Sequence, residues 1–75
     1  MDVIKDMLLM SAARLYSLGV DLEMSREKLR RLAEQGVSFH AKEMADAYEA
    51  FLSLQRQWEE LEKQHLELRD EIIQR

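Results

Sequence analysis

Residues 8–29 read LLMSAARLYSLGVDLEMSREKL, and leucine returns there at every seventh position, at Leu8, Leu15, Leu22 and Leu29. A period of seven keeps these side chains on one stripe of an α-helix, which is the pattern of a coiled-coil seam. Beyond Gly36 a second period-seven series runs through Met44, Phe51, Trp58, His65 and Ile72, accompanied by Ala47, Leu54, Leu61 and Leu68. Two stripes separated by one short loop predict an all-α fold, an antiparallel two-helix hairpin of coiled-coil type.

The ends of the helices are signalled by particular residues. Asp2 suits an N-cap, and its charge suits the positive end of the helix dipole. Arg26, Lys28, Arg30 and Arg31 crowd the last turns before Glu34, where cations are favoured, and Gly36 is a natural left-handed terminator. Ser38 is expected to cap the second helix. The chain therefore reads as one domain over residues 1–75, with helix 1 at about 2–34, the turn at 35–38 and helix 2 at 39–74. Gly19 disfavours helix by about 1 kcal/mol relative to Ala. The leucine phase nevertheless passes through it undisturbed, so one continuous helix is preferred to a break with Asp21 as a new cap.

A short turn makes the helices antiparallel, so residues whose numbers sum to about 76 should face each other. The layers pair Leu32 with Met44, Leu29 with Ala47, Ser25 with Phe51, Leu22 with Leu54 and Leu18 with Trp58. They continue with Leu15 and Leu61, Ser11 and His65, Leu8 and Leu68, and Ile4 and Ile72. Small residues oppose large ones, as close packing requires, and Gly19 is expected to make room for the Trp58 indole.

One seam does not consume all the apolar residues. Val3, Met10, Ala13, Val20 and Met24 form a second stripe on helix 1, widened by Met7, Leu9 and Tyr16. Helix 2 adds Tyr48, Leu52, Leu66 and Ile73 outside its seam. Surplus apolar surface on a small chain without disulfides marks an association face. The expected interaction face is Val3, Met7, Met10, Ala13, Tyr16, Val20 and Met24, through which two hairpins pair as a homodimer and build a four-helix bundle.

Composition narrows the function classes. Seventy-five residues, no Cys, no Pro and only two Gly describe long helices with no thiolate chemistry. A net charge of −4 argues against nucleic acid as the principal partner. No apolar run reaches the roughly 20 residues that span a bilayer, and Asp2 and Asp6 interrupt the only candidate leader, so no membrane partner and a cytoplasmic location are expected. Five cations against two anions between Arg26 and Lys42 suggest a basic turn end and an acidic open end.

Two pairs have the spacing of helix-borne metal ligands: Glu62 with His65, and His40 with Glu43. A dinuclear carboxylate site needs two such pairs plus two more inward carboxylates in one layer, and the two histidines stand about 35 Å apart at helical rise. His65 therefore reads as a seam residue hydrogen-bonded to Ser11. Phosphotransfer fits neither histidine, and nothing resembles a phosphate loop or a nucleophile triad. No cofactor, metal or catalytic residue is expected.

The resulting expectation is a non-enzymatic protein–protein interaction module, an adaptor, co-chaperone or regulator, that self-associates and presents a helical face to a second protein. The alternatives are a nucleic-acid accessory protein using the basic turn end and a metal-binding helical bundle. In size and outline the chain resembles the short hairpin co-chaperones of bacterial secretion systems and the small hairpin regulators of sporulation signalling, although no residue motif secures either.

Overall fold

The computed structural model describes residues 2–74. It consists of α1 (Val3–Glu34) and α2 (Lys42–Ile73), two helices of 32 residues each that pack against one another. Asp2 caps α1, its Oδ1 accepting from the Ile4 amide at 3.1 Å. The helix runs through Gly19 without interruption. A Cβ placed on Gly19 would lie 3.8 Å from Trp58 Nε1, an ordinary van der Waals contact. Gly19 thus lies beside the Trp58 indole as expected, and the space between them would also admit an alanine.

α1 ends in a Schellman motif. Gly36 takes φ +79°, its amide donates to the Ala33 carbonyl at 3.0 Å, and the Val37 amide donates to the Leu32 carbonyl at 3.0 Å. Val37 then packs on Leu32, Met44 and Ala47, which supplies the hydrophobic contact that accompanies this cap.

The start of the second helix differs from expectation. Ser38 does not cap it. Ser38 Oγ accepts from the His40 amide at 3.1 Å, and its carbonyl accepts from the Ala41 amide at 3.0 Å, closing a local turn. α2 begins at Lys42 after Ala41, which has extended backbone but no side chain able to cap. The hydroxyl found a partner two residues ahead, and the connection is correspondingly longer than the four residues expected.

The helices meet in the register in which residue numbers sum to about 76. Leu32, Met44 and Ala47 form one cluster at the turn end with Leu29 packed against it, while Ser11 meets His65 toward the open end. The remaining seam side chains, among them Leu8, Leu15, Leu22, Phe51, Leu54 and Trp58, are half-buried, and Leu61 is buried. Burial this partial reflects the shape. The molecule measures 53 × 15 × 14 Å with a radius of gyration of 16.7 Å, against about 11 Å for a compact chain of this length.

Candidate interaction surface

Seven residues per two turns place one stripe of α1 on α2. At about 100° per residue, the stripe made by Val3, Met10, Ala13, Val20 and Met24 falls roughly opposite it. These five residues are exposed, as are Met7 and Tyr16, and the larger six of the seven stand between 43% and 78% exposed. Leu9, at 70%, continues the patch along one edge. Val3, Met10, Ala13, Val20 and Met24 thus lie on the outer side of α1, turned away from α2, with Tyr16 on one flank of the face and Met7 on the other, nearer the seam.

Total accessible surface expresses the same imbalance. The hairpin exposes 5991 Å². A compact monomer of 8.9 kDa would expose roughly 4,800 Å², so the rod carries about 1,200 Å² in excess.

A second apolar feature lies at the turn end, where Leu29, Ala33, Phe39, Met44, Tyr48 and Leu52 line a groove of about 870 Å³. Arg26, Arg30 and Glu49 also line it. Phe39 is 82% exposed. Sequence reasoning missed Phe39 because it sits in the connection, where no period applies. The available signal was that Tyr48 and Leu52 fall beside the seam on the same side of α2.

The charges at this end are paired along α1. Arg30 bonds both Glu27 and Glu34, and Arg31 Nε lies 3.6 Å from Glu27. The hydrogen bond from Arg30 is the main reason the Glu27 carboxyl is held below the ordinary carboxylate range, while Glu27 in turn raises the Arg30 guanidinium. The basic turn end is corrected. Folding back lays Glu43, Asp46 and Glu49 of α2 alongside Arg26–Arg31. The turn half, residues 20–56, then carries six cations against seven anions, a net of −1.

Neither histidine sits in a cluster of metal-binding type, and among the described residues no three His, Asp or Glu side chains converge. His40 is an exposed turn residue. His65 Nδ1 lies 2.6 Å from Ser11 Oγ, and Ser11 Oγ also donates to the Leu8 carbonyl at 2.9 Å. A hydroxyl has one proton, so with that proton on Leu8 the His65 contact requires hydrogen on Nδ1. No helix among the described residues is long and apolar enough to cross a membrane. No protein-family model, curated protein or solved structure matches the chain.

Proposed function

We propose that this protein is a small, non-enzymatic interaction module of the cytoplasm, an adaptor, co-chaperone or regulator, that self-associates through the outer face of α1. The observation that carries this reading is the exposure of Val3, Met10, Tyr16, Val20 and Met24 on the side of α1 that α2 leaves uncovered, with Met7 exposed at its flank. A patch of that kind on a chain this small is the usual mark of an association site. The excess of about 1,200 Å² also exceeds the roughly 800 Å² per partner that a standard interface buries. A second copy is the partner always at hand, and the product is a four-helix assembly.

The non-enzymatic part of the reading rests on topology. Two helices in contact along one seam form open grooves rather than an enclosed chamber, and the seam histidine is already engaged by Ser11.

Sedimentation equilibrium across micromolar concentrations tests the proposal. Wild type is expected to dimerise. Met10→Asp/Val20→Asp is expected to stay helical by circular dichroism, because both sites are exposed within a chain, and to lose at least about a hundredfold in association, because two charges would enter an apolar contact. A wild-type protein that remains a folded monomer, or a variant that dimerises as well as wild type, rejects it.

A further inference from the structure

The outer face of α1 is itself a seam. Val3, Asp6, Met10, Ala13, Ser17, Val20 and Met24 follow one another at spacings of 3, 4, 3, 4, 3 and 4, the alternation that builds a coiled-coil contact. From Val3 to Val20 its polarity is palindromic: apolar, polar, apolar, apolar, polar, apolar. A contact between two copies related by a two-fold axis across the helices requires that property, since each residue that meets a second must be met by it in return.

Resting on the self-association proposed above, we infer that the second copy lies antiparallel, with the two α1 helices crossing the axis between Ser11 and Ala12. Facing residue numbers then sum to 23. Val3 meets the partner's Val20, Met10 meets the partner's Ala13, and Asp6 meets the partner's Ser17, whose hydroxyl can donate to the carboxylate. Along one edge Leu9 lies near the partner's Tyr16. Each layer occurs twice. All six seam positions from Val3 to Val20 obtain partners of their own character, apolar with apolar and polar with polar.

The parallel alternative fails on charge. In register it places Asp6 on Asp6 and, two turns beyond Val20, Glu27 on Glu27, two like-charge layers in the same contact. The antiparallel register removes both, because facing numbers that sum to 23 pair Asp6 with Ser17 and set no residue opposite its own copy.

Since the two seams of α1 lie roughly opposite each other, the four helices are ordered α2, α1, α1, α2 rather than set on the corners of a square. Only the open halves overlap. The turn ends, with their Phe39 grooves, point away from each other.

That geometry is measurable because the chain has no cysteine. His40→Cys places a single spin label at the tip, on an exposed residue whose side chain makes no bond that would be lost. Electron–electron distance measurement on the full-length labelled dimer is expected to give about 70–80 Å between tips, whereas a parallel pair holds them within about 30 Å. A mean distance below about 50 Å in a sample that sediments as a dimer overturns the antiparallel arrangement and leaves self-association standing. A labelled sample that sediments as a monomer, as wild type does beside it, removes both.

Discussion

Among the described residues, Ser11 and His65 form the one polar layer of the seam for which a hydrogen bond bridges the two helices. With the hydroxyl's proton on the Leu8 carbonyl, Ser11 serves His65 as an acceptor. Ser11→Ala deletes that acceptor and leaves the imidazole N–H unserved at a half-buried position, which should cost about 1 kcal/mol. Replacing both partners, as Ser11→Ala/His65→Leu, removes the need as well as its satisfaction and should come out near neutral or more stable. Urea titration of the three proteins followed by circular dichroism checks the pair of outcomes. A double variant that loses as much as Ser11→Ala, or more, would show that the layer stabilises by its polarity rather than merely tolerating it. The pairing itself was legible in the sequence, because serine recurs on the seam where the opposite helix carries a bulky ring. The direction of the hydrogen bond was not, since it depends on Leu8 O lying within reach of a particular rotamer.

At the scale of the elements, the two glycines have opposite meanings. Gly36 sits at φ +79°, where an L side chain is strained whatever space surrounds it. Gly36→Ala should cost about 1–2 kcal/mol. Gly19 is ordinary helix with room for a methyl group, so Gly19→Ala should gain about 0.5–1 kcal/mol. Thermal unfolding of both variants at matched concentration checks the contrast, and a destabilised Gly19→Ala would refute the tolerance read from the Trp58 contact. Helix 1 could be read correctly from end to end because each of its signals, from Asp2 to Gly36, agrees with the seven-residue period. The start of α2 could not. Ser38 had two ways to use its hydroxyl, and the choice lay in the backbone of residues 39–41, which carries no periodicity.

The whole molecule is a rod whose surface is too large for its mass. If the outer seam of α1 is covered by a second copy, folding and association are linked, and stability rises with protein concentration. The unfolding midpoint is expected to climb measurably over a hundredfold increase in concentration, while that of Met10→Asp/Val20→Asp stays constant. Calorimetry at several concentrations checks this, and a midpoint that does not move in wild type counts against linkage. At this scale the sequence misled once. Its basic stretch is local, and only the hairpin brings the first turns of α2 beside it to cancel the charge. A linear chain cannot display which distant residues will neutralise a run.

The Schellman turn has a consequence for how the chain assembles. Leu32, Met44 and Ala47 are the most buried cluster and also the facing residues closest along the chain, separated by little more than the connection itself. Joining them closes the shortest loop available, and each further layer then adds only three or four residues from either side to a loop already closed. The hairpin can therefore zip from the turn outward, with early contacts that are local and quickly found. The last teeth to engage are Ile4 with Ile72 and Leu8 with Leu68, which are only half-buried. These are the same turns over which the partner's α1 would lie in the proposed dimer, which would clasp the zipper at the end where it otherwise frays.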